Sequence, residues 1–81
     1  MQVVLYSRRG CHLCEQAEDM LSMLWPAATV VDVDALPVDR DRFGLRVPVL
    51  AIDDAVAMEG RFDEGALGRL LASAASRPEG R

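Results

Sequence analysis

The sequence contains no lysine: its nine basic residues are all arginine, set against thirteen acids, for a net charge of −4. That balance argues against nucleic acid or an anionic membrane as a bulk partner, since both call for a net positive face. Histidine occurs once, as His12, and cysteine twice, as Cys11 and Cys14. A structural zinc site usually takes four protein ligands, and these three residues do not fill one, so no metal site is expected. Two cysteines so close together also do not make the disulfide framework of a small secreted scaffold. No apolar run approaches the roughly 20 residues needed to span a bilayer. The segment Met1–Tyr6 has neither a basic start nor a cleavage site, so no signal peptide is read there and a cytoplasmic location without membrane contact is expected.

What is present suits one small domain. The chain has 81 residues and is 51% hydrophobic, enough to fill a thin core. A single domain is expected over residues 1–75, with a flexible tail over 76–81, where Pro and Gly recur.

Periodicity orders the elements. Gln2–Tyr6 is a Val-rich run that predicts a strand buried on both faces. Ser7–Gly10 is a loop. From Cys11 to Trp25 the apolar residues Leu13, Ala17, Met20, Leu21 and Leu24 share one helical face. Glu15, Glu18 and Asp19 read as a solvated face near the positive end of the helix dipole. Pro26 stops this helix.

Thr29–Val33 is β-branched and predicts a second strand. A short helix follows from Leu36–Pro37, with Asp34 as its cap and Gly44 as a left-handed terminator. Val47–Ile52 and Ala55–Met58 predict a hairpin turning at Asp53–Asp54. Asp63 predicts the N-cap of a last helix carrying Ala66, Leu67, Leu70, Leu71 and Ala74 on one face, with Phe62 stapled onto Leu67. The order β-α-β-(α)-β-β-α begins with a βαβ unit, whose strands are parallel and whose crossover is right-handed.

Cys11-His12-Leu13-Cys14 sits where the first strand hands over to the first helix. Free backbone N–H groups and the helix dipole favour an anion there, and a thiolate at Cys11 is such an anion. Cys14, almost one turn later, lies on the same face, within reach of the Cys11 sulfur. This arrangement suits attack by Cys11 on a disulfide and resolution by Cys14, the deeper and less acidic thiol. The alternatives are two inert buried cysteines, or half of a zinc site. A c-type haem site is excluded, because Glu15 and not histidine follows Cys14.

The run Tyr6-Ser7-Arg8-Arg9-Gly10-Cys11-His12-Leu13-Cys14, then Val47-Pro48, then Gly60 before the last helix, resembles the glutaredoxins over residues 2 to about 74. It is most similar to a short bacterial glutaredoxin-like branch with Cys-His-Leu-Cys and Arg-Val-Pro segments. The resemblance implies an α/β thioredoxin/glutaredoxin-like fold: a four-stranded mixed sheet of order 2-1-3-4 flanked by helices. It implies a cis Val47–Pro48 bond beside the cysteines, and a substrate peptide paired with the backbone of Val47.

The sequence departs from typical glutaredoxins in three places. His12–Leu13 replaces Pro-Tyr between the cysteines, Arg46 replaces Thr before Val-Pro, and Glu59-Gly60-Arg61-Phe62-Asp63-Glu64 replaces a Gly-Gly pair followed by acids. Those segments hold the carboxylates of glutathione in the family.

The expected function is therefore thiol–disulfide oxidoreduction on Cys11 and Cys14, by a monomer with no bound cofactor. Glutathione is a candidate co-substrate. Arg9, Arg46, Val47, Pro48, Gly60 and Arg61 are the expected substrate contacts. The partner is a protein disulfide or a glutathione mixed disulfide. Two other roles stay open on the same fold: an iron–sulfur carrier using Cys11 and external thiols, and a peptide-binding adaptor using the groove at Val47–Pro48.

Overall fold

The computed structural model describes residues 1–76. Its elements are β1 (Val3–Ser7), α1 (His12–Leu24), β2 (Thr29–Asp32), α2 (Pro37–Phe43), β3 (Val49–Ile52), β4 (Ala55–Glu59) and α3 (Glu64–Ala75). Ser76 is the C-cap of α3; the rest of the expected tail, 77–81, lies outside the described residues.

The four strands form one mixed sheet in the order β2-β1-β3-β4. β1 runs parallel to β2 and antiparallel to β3, and β3 and β4 make an antiparallel hairpin. This is the sheet order that the family resemblance implies.

Strand period and helix period explain the two cores. Side chains alternate across β1, so Val3, Leu5 and Ser7 face one side while Val4 and Tyr6 face the other. The first side carries the larger core: Val3, Leu5, Leu50 and Ile52 pack with Ala17 and Leu21 of α1, Phe62, and Leu67 and Leu71 of α3. The second side carries Val33, Phe43 and Val49, with Tyr6 and Val47 against them. The Tyr6 and Phe43 rings stack with centroids 4.6 Å apart. β1 is thus fully buried only on the α1/α3 side; Val4 and Tyr6 are half-buried because α2, a short helix, covers less of the sheet.

Two expected terminators act differently. Asp34 does not cap α2. The N-cap is Leu36, which makes no side-chain bond, while Asp34 accepts two hydrogen bonds from the Arg8 guanidinium at 2.8 and 2.9 Å. An ion pair in bidentate geometry outcompetes a cap for the carboxylate. Gly44 does close α2, but with φ −56° it is right-handed. Glycine is needed there for space: a Cβ would stand 2.5 Å from the Arg40 carbonyl oxygen.

The hairpin turns on Asp53 and Asp54, both at positive φ, 51° and 69°. Two consecutive left-handed residues match the right-handed twist of the flanking strands. The Asp53 carboxylate also accepts the Gln2 N–H at 2.8 Å, tying the turn to the start of β1. Asp63 caps α3 as expected, accepting the Ala66 N–H at 2.8 Å.

Candidate functional site

β1 ends at Ser7, and α1 starts at His12. Cys11, between them, is the N-cap of α1, with extended backbone. Its sulfur accepts the backbone N–H of Cys14 at 3.2 Å. Ser, Thr, Asn and Asp usually fill this position with oxygen; here a sulfur does. An anion gains most at this position, where uncapped N–H groups converge. Both cysteines are free thiols.

The two thiols differ in environment. Cys11 is half-buried and Cys14 has no exposed surface. Burial pushes the Cys14 thiol up to about 11 from its ordinary 9.0, and the neighbouring Cys11 sulfur adds to the rise. The backbone of Arg8 and the hydroxyl of Ser7 pull the other way. The cost of removing a charge from water outweighs them, so Cys14 stays protonated at neutral pH.

Arg8 is anchored. Its guanidinium pairs with Asp34 and donates to the Gly44 carbonyl at 2.8 Å. That bond holds Asp34 below the usual carboxylate range and raises Arg8 above the usual guanidinium value. The two cysteine sulfurs add slightly to the Arg8 rise. His12 turns along the helix to Gln16, 3.2 Å away.

The antiparallel register pairs Tyr6 with Val49, so Pro48 lies at the sheet end from which the Cys11 loop springs. The Val47–Pro48 bond is cis, and Pro48 is buried. Gly60, at φ +81°, donates its N–H to the Pro48 carbonyl at 3.0 Å and so joins the same end. Arg46 is held by a bidentate pair with Glu59, at 2.9 and 2.8 Å, and lies over the Phe43 ring at 5.4 Å. The pair lowers the Glu59 carboxyl below its ordinary range. Arg61 is exposed beyond Gly60.

Arg9 belongs elsewhere. It lines an open cleft of about 410 Å³ on the β2 side, with Ser7, Gly10, Glu15, Glu18 and Asp32. The expected substrate contacts therefore divide into two groups: Arg46, Val47, Pro48, Gly60 and Arg61 toward β3 and β4, and Arg9 toward β2.

Two residues escaped the sequence reading. Ser7, in a loop by its sequence pattern, ends β1 and is 4% exposed. Its hydroxyl donates to Glu18 at 2.5 Å. Glu18 is half-buried, not a solvated residue of α1. The signals were present: Ser7 follows Val3 and Leu5 in the period-two series, and Glu18 stands one turn beyond Cys14.

Among the described residues, no group of three or more His, Cys, Asp and Glu could hold a metal ion. None of the described helices is long and apolar enough to cross a membrane.

Comparison with known proteins agrees with this geometry. The glutaredoxin-like domain (DUF836) family matches residues 2–72. The X-ray structure of a structural-genomics target protein from X. campestris is 33% identical, with a TM-score of 0.77, over 88% of this chain and 96% of that one. A mutant thioredoxin from Halobacterium salinarum NRC-1 is 30% identical, with a TM-score of 0.63, over 88% of this chain and 71% of that one. No curated protein matches the chain. The family match spans β1 and most of α3, the neighbours share the sheet, and the chain accordingly belongs to the glutaredoxin-like family, on the thioredoxin fold.

Proposed function

We propose that the protein is a thiol–disulfide oxidoreductase in which Cys11 attacks and Cys14 resolves. The observation that carries this reading is the 3.2 Å bond from the Cys14 N–H to the Cys11 sulfur. It puts the outer sulfur at the anion-favouring end of α1 and the inner thiol one turn behind it. The glutaredoxin-like family and the thioredoxin neighbour support a redox-type function.

In this scheme the Cys11 thiolate attacks one sulfur of a disulfide. A Cys11–substrate bond forms, the substrate disulfide breaks, and the first thiol leaves. The Cys14 thiolate then attacks the Cys11 sulfur, forming Cys11–Cys14 and releasing the second thiol. Two electrons pass from the enzyme dithiol to the substrate. A low-molecular-mass thiol such as glutathione regenerates the dithiol.

The substrate is a protein disulfide or a glutathione mixed disulfide. Its backbone pairs with Val47 at the open sheet end beside Pro48 and Gly60. Arg46 and Arg61, and Arg9 from the other side, offer positive charge to a glutathione carboxylate. The protein works in the cytoplasm as a monomer and needs no bound cofactor.

Turnover of a glutathione mixed disulfide tests the scheme. Cys11→Ser is expected to abolish turnover, and Cys14→Ser to trap the Cys11 mixed disulfide, visible as added mass. Turnover by the Cys11→Ser variant, or no exchange by the wild-type protein with any model disulfide, refutes it.

A further inference from the structure

Arg46 and Glu59 bracket the backbone that the exchange scheme gives to the substrate. Arg46 stands two residues before Pro48, in a turn closed by its own N–H on the Phe43 carbonyl at 2.8 Å. Glu59 ends β4 and is the register partner of Val49. Gly60, next in the chain, bonds the Pro48 carbonyl at 3.0 Å. The ion pair between them, at 2.9 and 2.8 Å, therefore links the chain just ahead of Val47–Pro48 to the strand that pairs just beyond it. Both side chains keep a large exposed share, 44% and 43%, so a bound substrate can reach them.

The pair has a consequence for charge recognition. A guanidinium offers a planar fork that matches one carboxylate. The Nε and one terminal nitrogen of Arg46 are both given to Glu59, and the Phe43 ring lies under the guanidinium at 5.4 Å. A substrate carboxylate arriving at this fork has to replace Glu59. It exchanges one bidentate pair for another, which gains little at Arg46, and it leaves the displaced Glu59 as a like charge beside it. A substrate without a carboxylate displaces nothing, and a cationic side chain gains a carboxylate neighbour. An unfavourable charge contact of this kind discriminates as well as an attractive one does.

We propose that Glu59 is a specificity determinant of the exchange reaction. By holding the Arg46 fork, it turns the site against substrates with a carboxylate beside the disulfide. It turns the site toward polypeptide disulfides flanked by neutral or cationic residues. Of the two substrate classes in the exchange scheme, the protein disulfide is thus favoured over the anionic glutathione mixed disulfide. The discrimination is graded, because Arg61 is exposed and Arg42, 4.5 Å from the same Phe43 ring, is exposed as well. Both remain open to an anion.

The inference rests on the exchange scheme, and its test separates the two. Two probes differ only in charge: the mixed disulfide of 2-thiopyridine with glutathione, and the same compound with both glutathione carboxylates esterified. The Cys11 thiolate attacks the peptide sulfur, a Cys11–peptide disulfide forms, and the bond to the pyridyl sulfur breaks. The leaving thiolate takes a proton from water and is read as pyridine-2-thione. Each rate constant is divided by that of mercaptoethanol with the same probe, which removes the intrinsic reactivity of the probe.

The wild-type protein is expected to favour the diester by about threefold or more. Glu59→Gln keeps the size of the side chain and removes its charge. It is expected to raise the free-acid rate about three- to fivefold, the upper end for an exposed ion pair, with no matching rise for the diester. Adding Arg46→Ala to Glu59→Gln should abolish that gain, since the freed fork is then absent. Asp54→Asn, in the turn between β3 and β4, changes net charge equally and should leave the preference as it is.

An unchanged free-acid rate in Glu59→Gln overturns the assignment and leaves exchange standing. So does an equal rise for both probes, which marks an effect on the Cys11 thiol and not on recognition. An equal gain in Asp54→Asn overturns it as well, in favour of the charge of the whole molecule. Release of no thione from either probe by the wild-type protein overturns the exchange scheme, and the role of Glu59 with it.

Discussion

The backbone N–H of Cys14 donates to the sulfur of Cys11 across 3.2 Å. One bond thereby serves two purposes: it caps α1, and it presents the outer sulfur to the helix dipole. Helix stability and thiol chemistry are joined at a single atom, and substitutions can pull them apart.

Cys11→Ala removes the cap acceptor and is expected to destabilise the fold by roughly 1 kcal/mol. Cys11→Ser keeps an acceptor of the preferred kind and is expected to match or exceed wild-type stability while losing turnover. Urea denaturation of the two variants beside the reduced wild type distinguishes capping from chemistry.

The buried thiol makes stability fall at alkaline pH. In the native state Cys14 holds its proton up to about 11, against an ordinary 9.0. The unfolded chain therefore loses this proton at lower pH than the folded one. The contribution is complete below about 9.0 and is lost as pH rises toward 11. Denaturation midpoints measured between these limits should drop more steeply in wild type than in Cys14→Ala. Parallel pH profiles would disprove it.

The interior strands carry the core. Leu50 has no exposed surface and packs in the main cluster between α1 and α3. Leu50→Ala is expected to destabilise by about 2–5 kcal/mol, a large share of the roughly 5–15 kcal/mol typical of a domain. A shifted denaturation midpoint at constant slope is the expected readout.

The hairpin turn has a residue that glycine suits better. Asp54 sits at φ 69° and, unlike Asp53, its carboxylate makes no hydrogen bond among the described residues. Asp54→Gly is expected to stabilise by about 0.5–1 kcal/mol, relieving the left-handed backbone. Thermal denaturation should show a higher midpoint; a lower one would mean that Asp54 has a favourable role in the turn.

The elements were legible in the residue pattern because each depends on local physics. The 3.6-residue spacing of Ala17 and Leu21 marks α1, and the β-branched Thr29–Val31 marks β2. Pro26 and Asp63 mark helix boundaries where backbone geometry and capping operate over a few residues. The placement of Cys11 at a strand-to-helix junction was visible for the same reason. Asp34 misled because an acid ahead of a proline-started helix is a reasonable cap by local rules. Its actual partner, Arg8, lies 26 residues away.

The sequence by itself determined the order of strands and helices, the parallel crossover and the place of the two cysteines at the start of α1. Those features follow from periodicity, turn chemistry and the dipole of one helix. Only the tertiary structure decided which charged and polar groups meet: Ser7 with Glu18, Arg8 with Asp34 and Gly44, and Arg46 with Glu59. Nine arginines and thirteen acids allow many pairings of similar intrinsic strength, and sheet register and helix packing select among them.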